Sequence, residues 1–411
     1  MSVKSELYEH RAILLIGFIM VFFAFGIPTY SMPFIYAGAV EEFGWSKEQV
    51  NLLSTAKFLV GAAAALIMGI LVDRHGARWI TALGALVSGG AMLLFIAATT
   101  LPVYYLAGAF LGFAASSVSA SMKIIVARSF GSGQGTAMGI VLTATSAAGI
   151  FTPQILPPMM EAYGWRMTMG YMSAGVLLIA LPAWLVAIRL NKDLAMTVSQ
   201  TSPSSHGLWD HFKVISGDKN FWLIALGIFL VSGIDQAMMH NYVLFLREDK
   251  GLDWRAISWG GSLLAIVGVI AKIGSGWVYD RLSIRGIMLF YVLLGVSIFM
   301  GLPVVGVASM LAFLVVRGIA HGGLIVDVPI LTKHYFGMEH IGMTIGIMAL
   351  FMQLGFAVGP PVLGRMADAA GNYSLGLTVY GTLAILAALT LVTVKPRFWT
   401  PPSRRSPELQ Q

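Results

Sequence analysis

Long apolar runs separated by short polar stretches dominate the chain. A helix that crosses a bilayer needs about 20 mostly apolar residues. Twelve stretches meet this requirement, and we number them as spans 1 to 12: 12–37, 48–72, 79–98, 102–126, 135–160, 167–189, 220–246, 256–279, 285–306, 308–332, 341–363 and 374–394. The first is too long for the core of a signal peptide, so we interpret it as a retained helix. The pattern predicts an all-α membrane protein.

Composition supports this prediction and excludes several classes of protein. Hydrophobic residues make up 57% of the chain and charged residues 11%, with a mean hydropathy of +0.80. A soluble domain carries about 25% charged residues, so a soluble enzyme, a nucleic-acid-binding domain and a disordered chain are excluded. The chain has no cysteine, which removes disulfides, thiolate metal sites and cysteine nucleophiles. We expect no cofactor, no metal site and no catalytic residue.

The basic residues predict the orientation in the membrane. Cytoplasmic loops carry an excess of Lys and Arg. If the N-terminus is cytoplasmic, 17 of the 26 basic residues lie in inner segments, six lie in outer loops and three lie within spans. Because twelve spans return the chain to its starting side, both termini are predicted to be cytoplasmic. The expected location is a plasma membrane, specifically a bacterial inner membrane.

The two halves of the chain resemble each other at an offset of 207 residues. The matching pairs are segment 69–78 with 276–285, Pro153 with Pro360, and Gly164 with Gly371. Several matches at one offset indicate a duplication, and two parallel halves of six spans follow from it.

The polar stretches give the predicted domain boundaries. Residues 190–219 form the longest internal polar segment, rich in Ser and Thr, and we interpret it as a cytoplasmic linker. Residues 1–189 form an N-terminal six-helix bundle and residues 220–394 a C-terminal one. Residues 395–411 are expected to be a cytoplasmic tail.

Segment 69–78 reads G-x-L-x-D-R-x-G-x-R and resembles the signature between helices 2 and 3 of the major facilitator superfamily. Segment 276–285 is a weaker copy at the corresponding place. The resemblance covers nearly the whole chain and implies twelve transmembrane helices in two pseudo-symmetric six-helix bundles. The motif residues are Gly69, Asp73, Arg74, Gly76 and Arg78, with Gly276, Asp280, Arg281 and Arg285 in the copy.

Two interpretations of these motif residues remain open. Opposite charges at the inner ends of helices can form weak pairs of about 0–1 kcal/mol, which break and form again as the halves rock. They would then act as a gate. The alternative is that the basic residues only follow the positive-inside rule.

Finer features resemble one branch of the superfamily. Residues 43–46 (Phe-Gly-Trp-Ser), 163–166 (Tyr-Gly-Trp-Arg) and 355–361 are similar to the monocarboxylate porter and oxalate:formate antiporter branch. In that branch a basic residue of helix 8, eight positions before the motif Asp, binds the substrate carboxylate. Lys272 stands eight positions before Asp280. Span 11 lacks the basic residue of the oxalate:formate antiporters, which favours a monocarboxylate over oxalate.

Five ionisable residues lie within the spans: Lys57, Asp235, Lys272, Arg317 and Asp327. Such residues are costly in a membrane and are functional candidates by default. Lys272 either binds the substrate carboxylate or forms a structural ion pair. Asp235 either exchanges a proton as part of a pair with Lys272 or forms a fixed salt bridge with it. Lys57 either supplies a second charge or extends towards the outer surface.

Other polar residues near these positions have candidate roles. Arg317 is a second anion site or a partner of Asp235, and His321, four residues further on span 10, either titrates or forms a helix contact. His240, near Asp235 on span 7, is a candidate for proton coupling. Tyr30 on span 1 is a candidate hydrogen-bond donor to the substrate. Asp327 is expected to be a gate residue or a partner of Lys333.

Together these features predict a secondary active transporter of a small organic anion, a monocarboxylate, working by proton symport with alternating access. The alternatives are an anion exchanger and a drug/proton antiporter of the same superfamily. A membrane-embedded enzyme would need a motif such as H-E-x-x-H or G-x-S-x-G, and neither occurs. The expected partners are the anion, protons and membrane lipid; no nucleic acid is expected, and the protein is expected to be a monomer.

Overall fold

The structure is a computed structural model that describes residues 3–131, 133–190, 212–213, 215–324, 327–337 and 341–393. In this part of the chain, ten helical stretches are long and apolar enough to cross a membrane. One of them, Gln134–Arg189, contains two spans because Gly164 has non-helical angles (φ 75°, ψ 158°). The 16-residue helix Ile284–Phe299 completes a set of twelve. The all-α prediction is confirmed.

We label the spanning helices in chain order. They are α1 (Arg11–Phe43), α2 (Lys47–His75), α3 (Ala77–Leu94), α4 (Leu101–Ser129), α5 (134–163), α6 (165–190), α7 (Lys219–Asp249), α8 (Trp254–Leu282), α9 (Ile284–Phe299), α10 (Val307–Leu324, then Asp327–Phe336), α11 (Ile341–Ala370) and α12 (Ser374–Thr393). A short helix, Val3–Glu9, precedes α1. Most of the predicted linker (191–211) and the predicted tail lie outside the described residues.

The ninth helix is shorter than predicted. It ends at Phe299 rather than at residue 306, because Gly301 and Pro303 follow it and form a turn. Apolar composition continues through this turn, so hydropathy alone extends the span too far.

The duplication seen in the sequence is visible in the backbone. Helices α2 and α8 begin and end at positions 207 residues apart. Their N-caps also correspond, since the Ser46 side chain accepts a hydrogen bond from Gln49 and the Asp253 side chain accepts one from Ala256. Three pairs of positive φ angles follow the same offset: Gly44 and Gly251 (64° and 65°), Gly76 and Ser283 (82° and 48°), and Gly164 and Gly371 (75° and 73°).

We name the two ends of the bundle after α2. The Lys47 face is the end where α2 begins and α11 ends, and the His75 face is the end where α2 ends and α8 ends. The halves α1–α6 and α7–α12 contact each other mainly through α2 with α11, α5 with α8, and α1 with α7. Small residues allow these close approaches: a Cβ atom at Gly364 would lie 2.6 Å from the carbonyl oxygen of Lys47.

Polar contacts close the Lys47 face. The carboxylate of Asp368, on α11, accepts hydrogen bonds from the backbone N–H groups of Lys47 (2.9 Å) and Glu48 (2.8 Å) at the start of α2. The Lys47 ammonium forms an ion pair with Glu248 of α7 at 2.8 Å. The exposed residues of α2 all fall between positions 59 and 75, whereas none of residues 47–58 is exposed. The halves are therefore joined most tightly at the Lys47 face.

Candidate functional site

A cavity of about 70 Å³ lies between the two halves. One water molecule needs roughly 10–15 Å³ of such cavity volume, so the cavity has room for a few water molecules. Five helices supply its wall: Thr29, Tyr30 and Pro33 of α1; Gly149 and Pro153 of α5; Gln236, Met239, His240 and Tyr242 of α7; Gly261 and Leu264 of α8; and His321 of α10. Three predicted site residues, Tyr30, His240 and His321, therefore share one cavity wall.

Asp235 is bound by two side chains of α10, directly behind this wall. Arg317 donates to the Asp235 carboxylate at 2.5 Å and to its backbone carbonyl at 2.8 Å. His321 contacts the other carboxylate oxygen at 2.9 Å. Arg317 is 1% exposed and Asp235 6%. Arg317 thus has one of the two roles considered for it, as the partner of Asp235.

The predicted pair of Asp235 with Lys272 is wrong. At 1.5 Å per residue, Asp235 lies about 24 Å along α7 from Lys219, whereas Lys272 lies only about 12 Å along α8 from Asp280. The two side chains therefore belong to different depths of the bundle. Lys272 is half-buried, and its ammonium contacts the hydroxyl of Ser146 on α5 at 3.4 Å.

Lys272 lies between the cavity and the His75 face. It is absent from the cavity wall and stands about 12 Å along α8 from the lining residue Leu264. Its contact with Ser146 crosses between the halves. Of the hydrogen bonds between halves that we find in the described residues, this one lies nearest the His75 face.

Lys57 is the buried cation of the N-terminal half. Its side chain is 4% exposed, and within the described chain its ammonium has no hydrogen-bond partner. The ammonium lies 5.3 Å from the ring centroid of Phe58, whose ring stacks on His240 at 6.0 Å. The alternative that Lys57 extends to the outer surface is wrong, because its side chain is buried where α4 and α11 pack on α2 and where side chains of α7 bond to Asn51 and Ser54.

His240 joins the cavity to the contact between the halves. Its Nδ1 atom lies 2.6 Å from the Ser54 hydroxyl and 3.3 Å from the Tyr36 hydroxyl, and its Nε2 atom lies 2.5 Å from the Gln236 amide. Both Lys57 and Asp235 lie close enough to act on His240 electrostatically. Sequence reasoning missed Ser54, although it stands three residues before Lys57, on the same face of the helix.

Tyr30 lines the cavity near the Asp235 carboxylate. Its ring packs against Gly149 of α5, where a Cβ atom would lie 2.7 Å from the ring carbon Cζ. Asp235 lies close enough to act on the Tyr30 hydroxyl electrostatically. Tyr30 is therefore one of several polar side chains in the cavity wall.

The motif residues lie at the His75 face, at the ends of α2 and α8. Arg74, Asp280 and Arg285 are exposed, while Arg78 and Arg281 lie over neighbouring tryptophan rings. The side chain of Asp73 lies outside the described part, and Gly69 and Gly276 are interior positions of the two helices. Gly76 provides the positive φ that ends α2. A gating role for this group stays a prediction.

Asp327 is paired with Tyr291 rather than with the predicted Lys333. Its carboxylate, 3% exposed, accepts a hydrogen bond from the Tyr291 hydroxyl at 3.0 Å. Lys333 is exposed instead, because six residues of helix turn its side chain to another face. The expected Asp327–Lys333 pair is therefore not formed in the described residues.

Comparison with known proteins identifies the family. The profile of the Major Facilitator Superfamily matches residues 14–326. Monocarboxylate transporter 13 of Rattus norvegicus is 24% identical, over 86% of this chain and 81% of that protein. The 4-hydroxybenzoate transporter PcaK of Pseudomonas putida is 25% identical, over 94% of this chain and 92% of that protein.

Solved structures share the fold. A bacterial homolog of the human lysosomal transporter Spinster, inward-facing and unoccupied, matches with a TM-score of 0.71 at 16% identity, covering 96% of each chain. The nucleoside transporter NupG matches with a TM-score of 0.75 at 15% identity, covering 93% of this chain and 97% of that one. With its twelve helices and its family profile, the chain belongs to the major facilitator superfamily and is a membrane transporter rather than an enzyme, and it resembles the monocarboxylate transporters among its curated relatives.

Proposed function

We propose that this protein is a proton-coupled carrier of a small monocarboxylate, and that the substrate carboxylate binds between the halves near Lys57. The observation that carries the proposal is the buried Lys57 ammonium, which has no hydrogen-bond partner in the described residues and lies beside the cavity-lining His240. A buried cation without a partner is costly. A bound carboxylate would offset that cost.

The balance of charge supports an anionic substrate. Arg317 is neutralised by Asp235 within the C-terminal half, so the Lys57 charge remains to be balanced. Lys272 adds a second cation on the path to the His75 face. The relatives named above as transporters of monocarboxylates and of 4-hydroxybenzoate agree with an anion of this kind.

The packing supports alternating access, with the His75 face as the cytoplasmic side. The excess of basic residues in the segments assigned to that side favours this orientation. The closed Lys47 face then corresponds to an inward-facing arrangement, in which Lys272 lies between the exposed basic residues of the cytoplasmic side and the cavity. Both predicted termini would be cytoplasmic, in a bacterial inner membrane.

The position of His240 supports the proposed proton coupling. An imidazolium at His240 would be repelled by the Lys57 ammonium, because like charges in a medium of low dielectric constant interact strongly. A carboxylate bound at Lys57 removes this repulsion, so anion and proton favour each other's binding. His321 of the cavity wall contacts the Asp235 carboxylate behind it, and Arg317 holds that carboxylate in place.

Uptake by proteoliposomes tests this proposal. We would measure radiolabelled lactate, pyruvate, benzoate and 4-hydroxybenzoate with a pH gradient that is acidic outside. Lys57→Met should lower uptake at least tenfold, since a hydrogen bond to a charged group contributes about 1.5–3 kcal/mol. Lys123→Met, at an exposed position of α4, is the matched control.

Three outcomes contradict the proposal. Wild-type uptake by the Lys57→Met variant removes Lys57 from the site. Uptake that depends on an internal anion and ignores the pH gradient indicates an exchanger. Proton-driven efflux of a cationic dye, without carboxylate uptake, indicates a drug antiporter.

A further inference from the structure

A chain of three buried polar groups crosses between the halves at His240. The Tyr36 hydroxyl of α1 lies 2.6 Å from the Ser54 hydroxyl of α2, which in turn lies 2.6 Å from Nδ1 of His240 on α7. Tyr36 and Ser54 are 0% exposed and His240 is 2% exposed. Two hydroxyl groups of one half therefore cover a ring nitrogen of the other.

The available donors and acceptors fix the direction of these hydrogen bonds. A hydroxyl carries one donor and can also accept, so the Tyr36 hydroxyl can donate to Ser54 while the Ser54 hydroxyl donates to Nδ1. Nδ1 is then the unprotonated nitrogen, and Nε2–H donates to the Gln236 amide, which presents its oxygen to the ring. This arrangement describes a neutral His240 whose lone pair is covered by the Ser54 hydroxyl.

The contact is broken whenever the Lys47 face opens. Ser54 lies on α2 and His240 on α7, and an amide pair one turn away joins the same two helices, with Asn51 and Asn241 donating to each other at 2.8 Å. Separation of α2 from α7 must remove the Ser54 hydroxyl from Nδ1. Water entering from the Lys47 face would then reach that nitrogen.

We propose that Ser54 and Tyr36 are positioning residues that gate proton access to His240, so that Nδ1 takes up a proton only while the Lys47 face is open. This inference rests on the proposed function. In the binding step an N–H bond forms at Nδ1 and an O–H bond of hydronium breaks, which leaves water. The excess proton leaves as the Nε2 proton, which passes to a water molecule in the cavity. The remaining proton then moves from Nδ1 to Nε2 by way of a water molecule before Ser54 covers Nδ1 again. The ring thus returns to its starting form, and one proton has passed from the Lys47 face to the cavity.

The other groups around His240 fit this role. Lys57 on α2 and Asp235 on α7 act on it electrostatically with opposite signs of charge. Tyr30 of α1, Tyr242 of α7 and His321 of α10 share the cavity wall with it. On the α11 side the neighbour is the ring of Phe356, through Phe58, and residues 341–363 of α11 contain no ionisable side chain.

A proton leak assay without substrate provides the first test. In proteoliposomes containing the dye pyranine, we would impose a pH gradient and follow its decay. Ser54→Ala should speed the decay at least threefold over wild type, because Nδ1 loses its cover. The double variant Ser54→Ala/His240→Gln should return to the wild-type rate. The control is Ser31→Ala, because the hydroxyl of this buried serine donates to the Ile27 carbonyl of its own helix.

A transport ratio provides the second test. For 4-hydroxybenzoate and lactate, we would compare accumulation driven by the pH gradient with exchange at equal pH. The ratio of accumulation to exchange should fall at least fivefold in Ser54→Ala and in Tyr36→Phe, and Ser54→Thr, which keeps the hydroxyl, should restore it.

The outcomes separate this inference from the proposed function. A wild-type leak rate in Ser54→Ala together with an unchanged ratio overturns the proton gate. So does a Ser54→Thr variant that behaves like Ser54→Ala, since the hydroxyl would then be irrelevant. If the wild type neither accumulates nor exchanges any acid, the proposed function fails, and the leak assay still decides the role of Ser54.

Discussion

Closure of the Lys47 face should depend on the absence of a side chain at Gly364. In the structure, a Cβ atom at this position would lie 2.6 Å from the carbonyl oxygen of Lys47 and 2.8 Å from the nitrogen of Glu48, closer than the 3.0 Å below which real Cβ contacts essentially never occur. The clash is with backbone atoms, which cannot rotate away. Gly364→Ala must therefore move α11 away from α2.

The cost of that movement follows from the neighbouring contacts. Asp368 lies one turn further along α11 and accepts two hydrogen bonds from the start of α2. Hydrogen bonds to a charged group contribute about 1.5–3 kcal/mol each, and the lower value applies here because the contact is exposed. Loss of both weakens closure by about 3 kcal/mol, which is roughly a 100-fold change in the ratio of closed to open forms.

Thiol labelling measures this ratio directly. The chain contains no cysteine, so Thr29→Cys places a single thiol on the cavity wall. Gly364→Ala should increase its labelling by an impermeant maleimide added at the Lys47 face by at least tenfold. Gly346→Ala, on the same helix with no atom within 4 Å of its Cβ position, is the control. Labelling that equals the Thr29→Cys parent would refute the argument.

Three further predictions concern stability and closure. Ser283→Gly should raise the melting temperature and stabilise the folded protein by about 1 kcal/mol, because Ser283 has a positive φ of 48°. Gly76→Ala, at the corresponding position of the other half, should lower the melting temperature. Arg317→Ala should destabilise the protein by about 3–5 kcal/mol in thermal unfolding, because Asp235 is left buried without its charge partner; an unchanged midpoint would contradict this. Asp368→Asn should increase labelling of the cavity cysteine from the Lys47 face, by less than Gly364→Ala does.

Most of the fold could be predicted from the sequence because the bilayer constrains helices so strongly. Apolar runs of sufficient length identify eleven helices to within several residues, and the offset of 207 residues indicates the duplication. The end of α9 could not be predicted in this way, since residues 300–306 are apolar but contain a turn. Hydropathy measures transfer into lipid and does not register where Gly and Pro end a helix.

The sequence identified candidate residues for the site but left their pairing open. Charged residues within spans are identified by their cost alone, which is why Lys57, Asp235 and Arg317 were found. Their partners depend on the depth and rotation of each helix, and these are set by packing. Asp235 therefore forms its ion pair with Arg317 and not with Lys272.

Uncharged polar residues within the spans could not be identified as site residues in this way, because their cost in the membrane is small. A serine within a membrane helix usually bonds to a carbonyl of its own helix, as Ser31 does. The same residue type at position 54 bonds across the halves instead. One sequence cannot distinguish these two cases, because the difference lies in the neighbouring helix.

The strengths of the polar contacts fit a carrier whose halves move as units. The buried ion pair of Arg317 with Asp235 lies within the C-terminal half, so it survives any movement of one half against the other. The contacts between halves are mostly neutral hydrogen bonds, such as that of Ser54 with His240, which contribute about 0.5–1.5 kcal/mol each. A few bonds of this size give a difference in free energy between open and closed forms that binding of the proposed anion and proton would reverse. If strong buried ion pairs joined the halves instead, the carrier would be locked in one arrangement.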